Sequence, residues 1–390
     1  MNYRITSEQT YPLADFVRIM DGHHPRLQPA LNEVAAKLPG SITITSIHYD
    51  YSSTDLHNQP VQMSSLMLVM LDGGKLKGDH LWLENRATQS SDSNVPTHMW
   101  NIGEVHVLRH GVLVSPDLMG MGTSIGRPVC YLCGKLAARC TVDAVIAAQM
   151  ILLQHYHLTE APLPVLNSGH SQGGFDALAV HRYMETTAND EEKRLFPLER
   201  SWCASGPYAP DVVNEVVCSR DKYLYGAYSV LNVMSHLNYH PECFAPDIKI
   251  EDFLTEEGIR TGIVETIASR KVGNKDLVKI VVDALGTRLS KLFKSEACKR
   301  GEQLYDMVDR CAKAERQIDG WSPALPISFY HLHADECVPV ESMLEVKRLW
   351  GHLPNVTFED DMTAIDEIPN RMGHAYSGGV FHRRLLNEIF

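Results

Sequence analysis

The run Leu163-Pro164-Val165-Leu166-Asn167-Ser168-Gly169-His170-Ser171-Gln172-Gly173-Gly174 takes an apolar segment of strand character into a Gly-x-Ser-x-Gly pentapeptide. Phe175-Asp176-Ala177-Leu178-Ala179-Val180 leaves it with helical character. This is the pattern of a nucleophile elbow, in which a serine sits on a sharp, strained strand-to-helix turn. Neighbours two residues before and after such a serine must be nearly free of side chain. Both are glycine here, and Gly174 lets the helix pack closely on the strand. The plainer alternative is an ordinary Gly-rich turn. If Ser171 is a nucleophile, the rest of the chain must supply a base, an acid and an oxyanion hole.

Upstream, residues 1–40 read as a helical arm, with Leu31, Val34, Ala35 and Leu38 at helical spacing before Pro39-Gly40 stops it. Ser41 to Tyr51 and Val61 to Leu71 read as an antiparallel pair at a sheet edge, closed by Asp72-Gly73-Gly74. Then come a short strand at His80 to Glu84, a helix at Glu104 to His110, an apolar strand at Gly111 to Ser115 and a helix at Val142 to Tyr156. Downstream, Arg200 to Ser205 is the next strand. From Pro207 to about Trp321 the patterning is helical, one helix being strongly amphipathic through Leu277, Ile280, Val281, Ala284 and Leu285. Strand character resumes at Leu325 to Leu332 and at Val356 to Phe358. Alternating strands and helices predict an α/β fold with a parallel sheet flanked by helices, whose strand C-termini form the ligand-binding edge. A helical block between two strands of one sheet is an insertion, expected to cap that edge; the alternative is a separate helical partner-binding unit. The expected division is 1–206 core, 207–321 cap and 322–390 core.

The chain has 390 residues and a net charge of -12, with no concentration of Lys and Arg into a stripe. That argues against a nucleic-acid partner. No apolar run is read as approaching the ~18–20 residues that span a bilayer. Met1 to Glu8 has no apolar signal region, so the chain as given is expected in the cytoplasm, or secreted or periplasmic if a signal has been removed. Nine cysteines is an odd number. Free structural thiols in a reducing compartment are the simpler expectation. Cys130-x-x-Cys133 lies in a loop before a helix, without a second pair at zinc-finger spacing; a disulfide or a metal pair is the alternative. Neither a cofactor nor a metal is expected.

After an elbow of this kind the acid and then the histidine follow in chain order. Asp335 leaves a late strand in an Asp-x-x-Val-Pro turn and is the expected acid. Its rivals are Glu336, Asp211 and the Asp360-Asp361 pair. His374, in Arg371-Met372-Gly373-His374, is the expected base, in a loop before a terminal helix beginning near Ser377 and running to Phe390. His382 lies inside that helix and reads as a surface or packing residue. One oxyanion donor is the Gln172 amide. The second is expected from Arg86, Ala87 or Thr88, with Ala87 preferred. His170 either touches the acyl pocket or supports it. His331 and His333 alternate on one strand face, but no third metal ligand stands at motif spacing. The glycines of Pro116-Asp117-Leu118-Met119-Gly120-Met121-Gly122-Thr123-Ser124 resemble a phosphate cradle without the Lys-Ser/Thr of a P-loop. That loop is expected to shape the pocket wall.

Gly169 to Gly174, the Ser115 to Ser124 loop, the Asp335 to Pro339 turn and Gly373-His374 occur together and in order. As a set they resemble the α/β-hydrolase superfamily, and within it the secretory-lipase-like bacterial and fungal lipases and esterases, over roughly residues 40–390. The resemblance implies the α/β-hydrolase fold, with a mostly parallel sheet and a helical cap inserted after the sixth strand. It also implies hydrolysis of carboxylic esters through an acyl-serine. The chain departs from that pattern in lacking a secretion signal and in carrying Arg86 where many relatives end the oxyanion strand with histidine.

The expected function is a carboxylic-ester hydrolase acting on a small-molecule ester of small or medium acyl length, with Ser171, Asp335 and His374 as its triad. A serine peptidase or amidase on the same scaffold is the alternative. A non-catalytic binding protein that kept the fold is the third reading.

Overall fold

The computed structural model of the protein describes residues 2–23 and 27–387. The first residue of the expected N-terminal arm, residues 24–26 within it, and residues 388–390 of the expected terminal helix lie outside that range. Among the described residues ten strands form one sheet: β1 (Tyr3–Pro12), β2 (Ile42–Thr54), β3 (Pro60–Asp72), β4 (Lys75–Leu76), β5 (His80–Asn85), β6 (Gly111–Pro116), β7 (Val165–His170), β8 (Leu198–Ala204), β9 (Ile327–Leu332) and β10 (Val356–Asp361). Their order is β1-β2-β3-β6-β5-β7-β8-β9-β10, with β4 pairing only with β3. The pairs β1–β2, β2–β3 and β3–β6 are antiparallel. From β6 to β10 every pair is parallel. Strands β6 and β9 are buried along their whole length, as expected where helices cover both faces of a parallel sheet. This is the α/β fold the patterning predicts, and the elbow lies at the end of β7, inside its parallel part.

Two elements differ from expectation. The N-terminal arm is not helical throughout: Tyr3–Pro12 is an edge strand on β2, and helices Leu13–His23 and Gln28–Ala35 follow it. Its side chains are mostly exposed, so no apolar alternation marks the strand. The β2–β3 pair consequently lies one strand in from the edge.

The helix expected from Val142 begins at Gly134, runs to Met150 and continues through a π-turn at Ile151–His155. This correction bears on the membrane reading. Gly134–His155 is 22 residues long with a mean hydropathy of 1.7 over its most apolar window, long and apolar enough to cross a bilayer. In the structure 83% of that window is buried inside the fold. Its alanines, with Val142, Val145 and Ile151, pack with β-strand residues such as Val112, Val114 and Val165 in one core cluster. Its apolarity is that of a central core helix covered on nearly every side. On the opposite face of the sheet, Trp82, Leu66 and Leu113 pack with Phe381 and Leu385 of the terminal helix.

Between β8 and β9 the chain is helical, from Pro210–Ser219 and Gly226–Tyr239 to Asn274–Leu285 and Gln303–Ala314. Bridges such as Leu254–Phe293 are isolated. These helices share their own apolar cluster, including Val230, Phe253, Ile263 and Leu277, which reaches the sheet through Phe175, Tyr131 and Val338. The block follows the sixth strand once the edge strand β1 and the two-residue β4 are set aside.

Candidate active site

Ser171 stands between β7 and the elbow helix Gln172–Thr186, with φ 62° and ψ -126°. A non-glycine residue holds such a backbone only where its surroundings over-determine it. They do here. Ser171 N–H donates to the Ala204 oxygen at 2.9 Å, and the Ser171 oxygen accepts from Gly174 N–H at 2.9 Å. A Cβ on Gly169 would lie 2.0 Å from the Gly173 oxygen, and one on Gly173 would lie 1.9 Å from the Asn85 oxygen. The glycines are therefore required by close backbone approach between β7, β5 and the elbow helix.

The structure brings Ser171, His374 and Asp335 into one hydrogen-bonded chain. His374 Nε2 lies 2.7 Å from Ser171 Oγ, and His374 Nδ1 lies 2.7 Å from Asp335 Oδ2. The other carboxylate oxygen, Oδ1, accepts from the N–H groups of Cys337 at 2.9 Å and Val338 at 2.8 Å. The Asp-x-x-Val-Pro turn thus ties the acid down with its own backbone. His374 lies in the first turn of the helix Gly373–Leu386, which starts earlier than the sequence suggests. Burial pulls its imidazole pKa down, but the Asp335 charge and hydrogen bond, with Glu336, hold it above the ordinary value. Burial raises Asp335, and the His374 charge and hydrogen bond outweigh it, leaving this carboxyl below its usual range. The pair is poised as a neutral base beside an ionised acid, or as imidazolium and carboxylate once a proton arrives.

The rival acids have other partners. Asp211 forms an ion pair with Arg316 at 2.8 Å. Asp360 pairs with Lys347 and His333, and Asp361 accepts from Tyr330 Oη and Thr363. Glu336 sits at the site in a different position: Oε2 accepts from the His374 N–H at 3.1 Å, and Oε1 accepts from Tyr225 Oη at 2.8 Å. Tyr225 belongs to the inserted helical block, so this carboxylate links that block to the histidine's backbone. His331 and His333 do not share a centre. The first contacts the Val338 oxygen at 2.9 Å and the second Asp360 at 3.2 Å.

A cavity of about 680 Å³ opens above Ser171 and His374. Ala87 and Thr88 line it on one side, Tyr225, Tyr228 and Val278 on another, and residues of the terminal helix on a third. Arg86 points its guanidinium away into a buried ion pair with Glu104 at 2.6 Å. The Gln172 N–H is the first of the elbow helix, where an amide has no helical partner and the helix dipole favours negative charge.

The sequence does not reveal what lies deeper. Glu84, at the end of β5, lines the cavity and accepts from Ser168 Oγ at 2.7 Å and Trp82 Nε1 at 3.1 Å. Burial pushes its pKa up to about 8. His382, read from sequence as a surface or packing residue, is buried and lines the cavity 3.7 Å from Glu84 Oε1. His170 also lines it and lies 2.9 Å from Ser377 Oγ, which donates to the His374 oxygen at 2.8 Å. His170 therefore braces the turn that carries His374. Burial, reinforced by His374 and His382, holds it well below its ordinary pKa, so it is a neutral ring. The Pro116 to Ser124 loop corrects another expectation, since it is absent from the cavity wall. Asp117 is buried and accepts from Ser64 Oγ and Thr97 Oγ1, both at 2.6 Å, while Gly122 N–H donates to Asp92. Its glycines make a packed turn that braces the neighbouring loop. Among the nine cysteines no disulfide is formed.

No protein-family model matches the chain, and no curated protein sequence does. Solved structures do. A rice cell wall degrading esterase, LipA, from Xanthomonas oryzae superposes with a TM-score of 0.75 over 100% of this chain and 97% of its own, at 15% identity. A putative hydrolase from Legionella pneumophila gives a TM-score of 0.75 over the same shares at 14% identity. Candida antarctica lipase A in its closed state gives a TM-score of 0.61 at 13% identity, over 93% of this chain and 77% of its own. The chain has the α/β-hydrolase fold that these structures share.

Proposed function

We propose that the protein is a serine hydrolase that cleaves carboxylic esters of small or medium acyl groups through an acyl-enzyme. The observation that carries this reading is the continuous chain from Ser171 Oγ through His374 to Asp335, opening on a cavity. The esterase and lipase structures of the same fold support the choice of ester chemistry. In this reading Ser171 Oγ attacks the ester carbonyl while His374 Nε2 takes its proton. Asp335 fixes the Nδ1–H tautomer and stabilises the imidazolium. The amides of Gln172 and Ala87 receive the oxyanion. His374 then gives the proton to the departing alcohol, and water repeats the sequence to release the acid. A cavity of about 680 Å³ falls within the ~300–1,000 Å³ of drug-sized ligand sites and is mainly apolar where Tyr228, Val278 and Leu224 line it. That lining suits an apolar acyl group.

The test is a p-nitrophenyl ester series from acetate to palmitate, set against peptide anilides, with Ser171→Ala as control. Turnover is expected to peak at short to medium esters. Wild-type ester hydrolysis no faster than that of Ser171→Ala overturns the proposal, and faster cleavage of the anilides makes the protein a peptidase or amidase.

A further inference from the structure

Away from the serine, where the loop before the central helix meets the inserted helices, three side chains from distant parts of the chain converge. Cys133, His240 and Glu315 each present a ligand atom, and these atoms lie within 4.8 Å of one another. Cys133 immediately precedes the central helix. His240 ends the helix Gly226–Tyr239, and Glu315 ends Gln303–Ala314. We propose that Cys133, His240 and Glu315 form a zinc site that fastens an early and a late part of the inserted block to the core.

The donor set is one sulfur, one imidazole nitrogen and one carboxylate oxygen. That mixture suits zinc, whereas calcium and magnesium select oxygen alone. Zinc bonds of about 2.3 Å to sulfur and about 2.0–2.2 Å to nitrogen and oxygen place tetrahedral ligands roughly 3.4–3.7 Å apart. The three ligand atoms lie within 4.8 Å of one another, and His240 Nε2 and Glu315 Oε1, 2.6 Å apart in a hydrogen bond, must separate by about 1 Å to admit the ion.

Each ligand is already oriented by an outer partner. His240 Nδ1 contacts Glu242 Oε1 at 3.1 Å, and Nε2 faces Glu315 Oε1 at 2.6 Å. A carboxylate on the far nitrogen is the arrangement that orients a metal-bound histidine. Glu315 Oε2 accepts from Gly134 N–H at 2.7 Å and Gln317 Nε2 at 3.2 Å, which leaves Oε1 for the centre. Cys133 Sγ lies 3.5 Å from Ser235 Oγ. Cys130, its partner in the Cys-x-x-Cys spacing, is turned to the Cys133 carbonyl oxygen at 3.7 Å and stands beside the site. Water completes the coordination.

A second observation points the same way. Asp176, on the elbow helix, is 1% exposed, and neither of its carboxylate oxygens has a hydrogen-bond partner of normal geometry. The Gln172 side-chain amide lies beside it, and burial, with Cys133 and Glu315 nearby, holds its carboxyl well above the usual range. An unpartnered buried carboxyl close to Cys133 and Glu315 is a group that a bound cation would satisfy. Zinc enters by displacing the protons of the Cys133 thiol and His240 Nε2 to solvent.

Tag-free wild-type protein, purified without chelators, is expected to carry about one zinc per chain by elemental mass spectrometry. After stripping with a strong chelator, titration with Co²⁺ should produce a thiolate-to-cobalt charge-transfer band in the near ultraviolet and the visible bands of tetrahedral cobalt. Cys133→Ser should abolish the charge-transfer band. His240→Gln and Glu315→Gln should weaken Co²⁺ binding at least ~10-fold, and Cys130→Ser should leave spectrum and stoichiometry unchanged. Wild-type protein with no zinc and no cobalt band overturns the proposal however the variants fold. A band that survives Cys133→Ser overturns it as well.

Discussion

Replacing Asp335 with asparagine separates the acid's charge from its shape, and the hydrogen bonds around it dictate the outcome. Asp335 Oδ1 accepts from two backbone N–H groups, at 2.9 and 2.8 Å. An asparagine cannot turn its NH₂ toward those donors, so its oxygen must stay there. The NH₂ then takes the place of Oδ2, 2.7 Å from His374 Nδ1. A donor at that point obliges Nδ1 to accept, which moves the imidazole proton to Nε2 and aims it at Ser171 Oγ. The base is then in the wrong tautomer to take a proton from the serine. Loss of the carboxylate in a triad of this geometry costs about 10⁴ in kcat. At about 1.36 kcal/mol per decade that is roughly 5.5 kcal/mol of barrier. The assay is kcat on p-nitrophenyl butyrate as a function of pH, alongside a thermal melt to show that the volume-matched variant still folds. Because Asp335 holds the His374 pKa up, the acid limb of the residual activity should move to lower pH. A fall smaller than about tenfold, with the fold intact, refutes the reasoning and directs attention to Glu336.

The proposed mechanism requires a neutral His374 in the wild-type protein, and its pKa lies above the ordinary 6.5; kcat/KM should therefore fall as the pH drops through that raised value, and a limb at or below 6.5 would contradict the assignment. Glu84 concerns stability. Its carboxyl stands at about 8 in the fold against 4.5 as a free group, so it adds no penalty below pH 4.5 and an increasing one as the pH rises towards 8, reaching roughly 5 kcal/mol at about 1.36 kcal/mol per unit. Glu84→Gln should remove that decline, and a denaturation curve set parallel to the wild type between about pH 5 and 8 would count against it. Tyr225→Phe deletes the 2.8 Å hydrogen bond to Glu336 and should lower kcat/KM about fivefold, the worth of about 1 kcal/mol; an unchanged value would show that the link to the histidine is idle. Gly173→Ala, whose Cβ would lie 1.9 Å from the Asn85 oxygen, should abolish soluble, active protein, and a variant melting near the wild type would falsify the steric reading of the elbow.

The elbow is legible in the sequence because its requirement is local: glycines at 169, 173 and 174 meet backbone at under 2.5 Å if given a Cβ, and nothing remote substitutes for them. Asp335 and His374 can be placed because chain order narrows nineteen histidines to the two after the last strand, of which His374 reads as preceding the terminal helix and His382 as lying inside it. The β1 strand leaves no signature because an exposed edge strand has no buried face to impose alternation, and its residues Arg4, Ser7, Glu8 and Gln9 are polar on both sides. The start of the central helix is hidden by its composition. Gly134 is small because the Gln317 side chain presses against it, and Ala137 and Ala138 are small in a close-packed core cluster, which weakens the periodic signal. The 116–124 loop misleads for a different reason. Its glycines resemble a cradle, yet Asp117 is satisfied by Ser64 and Thr97, partners that no spacing within the motif announces. Glu84 and His382 meet across nearly 300 residues, so only the folded sheet puts them at the bottom of one cavity.

Between β8 and β9, neighbours in the sheet, the chain makes its long helical excursion. That separation sets an order of events during synthesis. His374 lies 203 residues after Ser171 and emerges about 10–40 s later at roughly 5–20 residues per second. Until β9 arrives, β8 is an unpaired edge, open to any other strand in reach. The elbow can form early, since its contacts lie with β5, β8 and its own helix, but the acid, the base and the bracing Ser377 arrive with the closing stretch of the chain. A nascent or truncated polypeptide that stops before His374 therefore holds a strained serine with no proton acceptor. On the proposed mechanism, reactivity is the last property this protein acquires, once the sheet has closed.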